Sequence, residues 1–416
     1  MVNIAVLGYG VVGSGVVEVI KKNGSSISQR AGEEIRVKKI LDIRDFPESP
    51  DRDLLTKNQE DIFGDDSIKI VAETIGGIGI AYEFTKRALR LGKHVVTSNK
   101  ELVATHGPEL LELARENRAH YLFEASVGGG IPIIRPLHNC LAANEISGIT
   151  GILNGTTNYI LTQMQRDGKD FDTALKEAQQ NGYAEADPTA DIEGHDACRK
   201  IAILSSIAYN EFVDYKKIPT EGIARITTAD MQFAETMDSV IKLIAMSKRV
   251  GGSIYARVCP AVVRKSHPLS NVFDVFNAIV VKGNAIGDAM FYGRGAGKLP
   301  TASAVVADII DILKHNENSG RSVWRVNEEE NMVDPGKIET RYYIRIKARN
   351  CEEAERLVGT VFGKVSWLAS EKPVSEDELA FITDKNTEEK LKSCVERLKG
   401  TGSIREVASF LRILDE

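Results

Sequence analysis

The sequence predicts an α/β chain organised on a doubly wound parallel sheet, and three observations carry that prediction. The 416-residue chain opens on a short apolar run that ends in Gly8-Tyr9-Gly10-Val11-Val12-Gly13. Short apolar runs then alternate with longer amphipathic stretches as far as about Phe123. A tail from Arg341 reads βαββαβ. Strands alternating with helices imply a parallel sheet whose ligands bind beyond the carboxyl ends of the strands.

Taken in order, Asn3–Leu7 is the first strand and Val11–Lys22 the helix that follows its glycine turn. That context strengthens the match to a Rossmann-type fingerprint. Gly8 allows the tight turn, Gly10 lets the backbone approach a pyrophosphate, and Gly13 lets helix and strand pack closely. The next strand, Ile35–Leu41, ends at Asp42-Ile43-Arg44-Asp45. An acid there would bind the ribose hydroxyls of NAD, and an arginine would accept the 2′-phosphate of NADP. Both are present, so the residues leave NAD, NADP and a plain turn open.

Ile68–Glu73 leads into Thr74-Ile75-Gly76-Gly77 and a helix from about Ala81 to Leu91. His94–Thr97 ends at Ser98-Asn99-Lys100, followed by a helix over Glu101–Asn117 and a strand over His120–Phe123. Glu124-Ala125-Ser126-Val127-Gly128-Gly129-Gly130-Ile131-Pro132 reads either as a glycine hinge, the preferred reading from the residues, or as an all-oxygen cation site.

The strand Glu145–Leu153 precedes Asn154-Gly155-Thr156-Thr157-Asn158, which opens the helix Tyr159–Asp167 with capping side chains that could also bind a small polar substrate. Helices are expected around Asp230–Arg249 and strands around Ile254–Arg264, Ala278–Lys282 and Ile286–Phe291. A second glycine turn, Gly293-Arg294-Gly295-Ala296-Gly297, and the helix Thr301–Leu313 lead the chain back to the nucleotide fold. His315–Ser319 and Asn327–Gly336 mark a linker. The tail comprises Arg341–Ala348, Glu352–Gly359, Val365–Ser370, Glu378–Thr383, Thr387–Leu398 and Phe410–Leu414, enough for an independent small domain. The expected division is a dinucleotide-binding domain over 1–130 with a return segment at 295–316, a catalytic and dimerisation domain of α+β type with a mostly open sheet over 131–294, a linker over 317–337, and a small domain over 338–416.

The most informative stretch is Ala178–Lys200, AQQNGYAEADPTADIEGHDACRK. It sets Glu185, Asp187, Asp191, Glu193 and Asp196 ahead of Arg199 and Lys200. A solvated acidic turn is the plain reading. From Gly194, however, Asp196, Lys200, Ile203 and Ile207 share one helical face, so the carboxylate and the amine continue an apolar stripe and point inward. Such a pair is a structural ion pair or, in a cleft, a lysine tuned for proton transfer.

Composition narrows the classes. Hydrophobic residues at 43%, charged residues at 27% and a net charge of −6, with no basic stripe, argue against nucleic acid or membrane as a partner. Cys140, Cys198, Cys259, Cys351 and Cys394 show no metal spacing and suggest a reducing compartment. With no leader pattern at MVNIAVLGYG and no long apolar span, a soluble, cytoplasmic protein is expected.

GYAEADPTADIEGHDACRK, GILNGTTNYIL, SNK, EASVGGGIPII and MFYGRGAGKLPTASAVVADIID together resemble homoserine dehydrogenase, in family order over roughly residues 3 to 312. The resemblance implies reversible reduction of L-aspartate 4-semialdehyde to L-homoserine by NADPH or NADH, on the branch toward threonine and methionine. By this likeness Lys200 is similar to the catalytic lysine, Asp196 orients it, and Lys100 resembles the lysine between nicotinamide and substrate. Gly182, Glu185, Asp191 and Asp196 match substrate positions. Cofactor positions are Gly8, Tyr9, Gly10, Val11, Val12, Gly13, Arg44, Thr74, Ser98, Lys100 and Gly297. Glu124, Val127, Gly129 and Ile131 match a sodium site, which replaces the hinge reading. A homodimer or higher homo-oligomer is implied, and the tail resembles an ACT domain.

Three features depart from the family pattern. Arg294 stands where many relatives are uncharged, the Asp42–Asp45 segment mixes NAD and NADP signals, and Arg349-Asn350-Cys351-Glu352-Glu353 replaces the effector-binding glycine loop, so feedback through that loop is not expected. Another NAD(P)-dependent dehydrogenase of a small amino or oxo acid is the alternative enzyme. A catalytically silent sensor is the reading from another class, opposed by the complete lysine and carboxylate motifs.

Overall fold

The computed structural model describes residues 1–315, 324–327, 330–369, 375 and 377–415. Parts of the expected linker, 316–323 and 328–329, and the end of the strand expected over 365–370, lie outside the described residues. The chain divides into two compact units. The first comprises Met1–Ile149, Arg199–Lys217 and Val280–Glu330, and the second comprises Thr150–Cys198, Ile218–Ile279 and Asn331–Glu416.

In the first unit the strands are β1 (Val2–Leu7), β2 (Ile35–Leu41), β3 (Leu55–Thr56), β4 (Ile68–Glu73), β5 (His94–Thr97) and β6 (Tyr121–Leu122). They form one sheet in the order β3-β2-β1-β4-β5-β6. All the pairs run parallel. The order reverses between β1 and β4, and this is where a doubly wound sheet opens a crevice for a dinucleotide. Ile4, Val6, Ile70 and Ala72 on the strands and Val16, Val17 and Ile20 on the helix Val11–Lys22 fill the core. The helix Lys298–Lys314 completes this layer with Ala302, Val305 and Ile309. A Cβ on Gly15 would stand 2.9 Å from the Lys298 carbonyl, so only glycine lets these two helices approach so closely. Lys298 adds an ion pair to Glu18 at 2.7 Å.

The second unit is built on a mixed sheet. Its longest pairing joins Ser239–Val250 to Ser253–Arg264, antiparallel throughout. The helix expected around Asp230–Arg249 is therefore corrected: it ends at Thr236, and Ser239–Val250 is a strand. The reason is the partner. Gly251 and Gly252 both take positive φ, +57° and +89°, and form the two-residue turn that closes a hairpin. Once paired, Val240, Ile241, Leu243 and Ile244 are buried among the sheet's neighbours.

The tail joins this same sheet. Ile404–Ile413 runs parallel to Ser253–Arg264 through Arg412 opposite Ala261 and Ile413 opposite Val262. Tyr342–Ala348, Glu378–Thr383 and Val365–Leu368 follow as antiparallel neighbours. The helices Cys351–Phe362 and Glu388–Lys399 bury Ala354, Val358, Leu391, Val395 and Leu398 against Tyr342, Ile344, Ile346 and Phe381. Two buried charge clusters fasten this segment. Arg345 donates to Asp230 at 2.9 Å and to Glu378 at 2.7 Å. Arg257 donates to Glu388 at 2.6 Å, and Glu388 also receives Arg412.

Candidate active site

In the first unit the crevice is shaped by backbone. Gly8 takes φ +90°, and a Cβ on Gly13 would fall 1.9 Å from the Gly8 carbonyl, so both glycines are sterically required. A Cβ on Gly10, by contrast, would meet only the Arg44 guanidinium, at 3.8 Å, leaving its backbone open to a ligand. The helix Val11–Lys22 starts at Gly10 with no side-chain cap and no acid in its first turn, so its N-terminal amides are left for an anion. Thr74 donates to the Leu7 and Gly8 carbonyls, both at 2.9 Å, and thereby locks the glycine turn. Tyr9 contributes backbone only: its ring packs edge-on to Phe46 and its hydroxyl donates to Asp51 at 2.7 Å. Val11 is exposed and Val12 half-buried.

The end of β2 separates the two nucleotide signals that the sequence left mixed. Asp42 is buried, and its carboxylate accepts from Tyr9 N at 2.7 Å, Arg44 N at 2.9 Å, Arg44 Nε at 3.0 Å and the second Arg44 guanidinium nitrogen at 2.8 Å. The Arg44 guanidinium beside it is the largest influence, and together with the backbone amides it holds the Asp42 carboxyl down at about 2. Arg44 itself is exposed. It lines a cleft of about 450 Å³ with Phe46, Arg52 and Lys57.

At the end of β5, Ser98 is half-buried and Asn99 caps the helix Lys100–Glu116 by accepting from Leu102 N at 3.0 Å. Asn99 also donates to the Gly77 carbonyl at 2.5 Å. Lys100 is the first residue of that helix. Glu101 beside it pairs at 3.2 Å with Arg199, the residue before Lys200. Glu73, buried at the end of β4, accepts from Thr97 Oγ1 at 2.6 Å and Ile75 N at 2.7 Å, and burial pushes its carboxyl up. Sequence reasoning missed Asn99, Glu101 and Glu73. The only local signal was an amide or acid at a strand end or helix start.

The glycine segment after β6 is tightly packed, not a loose hinge. A Cβ on Gly129, φ +56°, would meet the Gly295 carbonyl at 2.3 Å. Glu124, Val127, Gly129 and Ile131 are all buried. The Glu124 carboxylate accepts from Ile133 N at 2.6 Å, Ile134 N at 2.8 Å and Arg135 N at 2.8 Å. Its oxygens are thus engaged with amides, which leaves the backbone carbonyls as the oxygen donors of that segment. Among the described residues no cluster of three His, Cys, Asp or Glu side chains could hold a metal ion. Gly297, φ +123°, immediately precedes the helix Lys298–Lys314.

In the second unit the acidic stretch is gathered at the start of the helix Gly155–Asp167. Asn154 Nδ2 donates to Asp191 at 2.7 Å and to Asp196 at 3.0 Å. Thr156 donates to the Tyr183 carbonyl at 2.6 Å and so fixes the turn that carries Gly182, whose φ is +72°. Glu185 lies exposed on that turn. Asp196 is buried in the first turn of the helix His195–Tyr209, and Lys200, one turn further along the same helix in the stretch belonging to the first unit, is buried too.

The chain is similar to known proteins over nearly its whole length. Residues 132–310 match the sequence model of homoserine dehydrogenase, and residues 8–124 match the model of the homoserine dehydrogenase NAD-binding domain. The chain is 38% identical to the homoserine dehydrogenase of Bacillus subtilis (strain 168), covering 99% of this chain and 98% of that one. The chain belongs to the homoserine dehydrogenase family. The crystal structure of a homoserine dehydrogenase from Thiobacillus denitrificans superposes with a TM-score of 0.90 at 35% identity, over 100% of this chain and 98% of that one. A hyperthermophilic archaeal homoserine dehydrogenase mutant, solved in complex with NADPH, gives a TM-score of 0.65 at 31% identity over 76% of this chain and 99% of that one. As a homoserine dehydrogenase, the chain is an NAD(P)-dependent oxidoreductase that interconverts L-aspartate 4-semialdehyde and L-homoserine. Among the described residues no helix is long and apolar enough to cross a membrane.

Proposed function

We propose that Lys200 delivers the proton to the aldehyde oxygen of L-aspartate 4-semialdehyde, with Asp196 orienting it and Lys100 placed between nicotinamide and substrate. The bound nicotinamide cofactor supplies the hydride. The observation that carries this reading is the Glu101–Arg199 ion pair, because those residues immediately neighbour Lys100 and Lys200 and tie their two helices together within one unit. A buried ammonium is a strong donor toward a developing oxyanion, and a positioned acid contributes about 10²–10⁴-fold. Asp191, Asp196, Glu185 and the backbone at Gly182 receive the polar groups of the substrate, the acids suiting its ammonium.

Gly8, Gly10 and Gly13 with the amides of Val11 and Val12 would cradle the pyrophosphate, and Tyr9, Thr74, Ser98 and Gly297 would frame it through backbone and turn contacts. NADP is the favoured nucleotide. Asp42 has its oxygens committed to Tyr9 and Arg44, whereas Arg44 uses only Nε and one of its two terminal nitrogens on Asp42 and lines, with Arg52 and Lys57, a cleft whose three cations outnumber its two acids, Asp42 and Asp45. Sodium would be held by the carbonyl oxygens of Glu124, Val127, Gly129 and Ile131. The enzyme is assigned to the cytoplasm as a homodimer, with a dinucleotide-binding domain over 1–130 and 295–316, a catalytic and dimerisation domain over 131–294, a linker over 317–337, and an ACT-like segment over 338–416 whose element order supports that likeness.

Oxidation of L-homoserine followed by absorbance at 340 nm, with NAD and NADP in parallel, tests both assignments. The parent should turn over faster with NADP. Lys200→Ala should lose turnover by about 10²–10⁴-fold while still binding NADP. Activity within a few-fold of the parent would remove Lys200 from its role, and a preference for NAD would remove Arg44 from its own.

A further inference from the structure

We propose that Asn154 is the positioning residue that holds Asp191 and Asp196 together as one acidic pair. The inference rests on the reading above that these acids serve the substrate. Asn154 is buried and stands immediately before the helix Gly155–Asp167 as its N-cap. Its Oδ1 accepts from Thr157 N at 2.9 Å and from Thr157 Oγ1 at 3.0 Å. The Thr157 backbone N–H, which can only donate, decides which way the amide faces, because a flipped amide would turn its own hydrogens onto it. Nδ2 is therefore directed away from the helix, and its two hydrogens are used on the two carboxylates, at 2.7 and 3.0 Å.

The arrangement answers an electrostatic difficulty. Oxygens that share one donor nitrogen lie within the range of about 4–6 Å over which like charges oppose each other's ionisation. A neutral amide that donates to both offsets that repulsion without cancelling the charge a cationic substrate group would need. A lysine here would neutralise the acids, and a serine has only one hydrogen to give. Asn154 also anchors Asp191, which is half-buried on the short helix Thr189–Ile192, to the same point that fixes Asp196 on the following helix.

Asn154→Ser keeps a side-chain oxygen able to cap the helix, so it should fold with a melting temperature near the parent's, whereas Asn154→Asp caps equally well but sets a third carboxylate against two others and should melt lower. The serine should lower kcat/KM for L-homoserine by about 10²-fold, chiefly through KM, while the NADP dissociation constant stays within about twofold. The aspartate, which replaces the donor by a third carboxylate, should lose more. Asp191→Asn and Asp196→Asn are assayed alongside. If they lose activity while both Asn154 variants stay within about threefold of the parent, the positioning role is overturned and the acids keep theirs. If all four variants remain active, both assignments fall. An Asn154→Ser enzyme that loses NADP affinity as much as homoserine affinity would show a general scaffold role and would also overturn the proposal.

Discussion

Lys200 and Lys242 are both buried lysines, yet their neighbours differ, and the proposed chemistry falls to the first alone. Lys242 is wholly buried in the strand Ser239–Val250 and donates to the Val272 carbonyl at 2.5 Å and to Asn158 Oδ1 at 3.1 Å. Asn158 in turn donates to the carbonyls of Val272, Asp274 and Phe276. The amine is thus a peg that pins a loop to a helix and a sheet. Burial first, and then the charge of Arg166, bring it down to about 7. Lys200 lies one turn after Asp196 and directly after Arg199, whose own partner sits beside Lys100. A perturbed lysine marks burial, and only acidic and ligand-facing neighbours convert burial into chemistry.

The comparison breaks most visibly if charge alone is what Lys200 provides. Lys200→Arg preserves the cation but not a proton that can be given up, because a guanidinium stays protonated at any working pH. Turnover should fall by about 10²–10⁴-fold, close to the loss from removing the side chain altogether. Turnover within a few-fold of the parent, measured by single-turnover reduction of the semialdehyde, would make Lys200 a peg like Lys242.

A smaller effect sharpens the other side. If the Glu101–Arg199 pair sets the spacing of the two lysine-bearing helices, Arg199→Met should lower kcat about tenfold, since displacement of a reacting group by about 1 Å can cost as much as 10²-fold. Glu101→Gln should reproduce the loss, with NADP affinity unchanged. The pair is half-buried and joins only two side chains, so the melting temperature should fall by no more than a few degrees. A fall in melting temperature with kcat intact would reassign the pair to the fold.

Much of this was legible in the chain. The parallel sheet followed from Gly8, Gly10 and Gly13 and from apolar runs that stop at Asp42, Glu73 and Ser98, because parallel strands buried on both faces need continuous apolar sequence. The strand Ser239–Val250 was misread because it follows the helix Thr228–Thr236 with no glycine or proline between them to mark a break, while the deciding partner lies across Gly251-Gly252. That glycine pair was a visible hairpin signal. Asn154 was visible as a cap, but its amide nitrogen donates to carboxylates 37 and 42 residues away, a convergence no local pattern encodes. The commitment of Asp42 to Tyr9 and Arg44 was equally hidden, since spacing places an acid at a strand end without saying what it already holds.

The smallest effect on turnover should come from Lys242→Met, and its signature is in stability. The folded amine titrates at about 7 against an ordinary 10.5. Below pH 7 the lysine is charged in both folded and unfolded chains, and the full cost of burying a charge weighs on the fold. Between the two values the unfolded chain binds more protons, so this group makes stability rise with pH, and above 10.5 the cost is gone. Methionine carries no such cost at any pH, although it leaves Asn158 Oδ1 without its lysine donor. The melting temperature of Lys242→Met relative to the parent should therefore be highest near pH 6 and decline steadily toward about pH 10, with kcat within about twofold throughout. Parallel melting curves across that range would show that Lys242 is not neutralised by burial. A large loss of kcat would place it, with Lys200, in the chemistry.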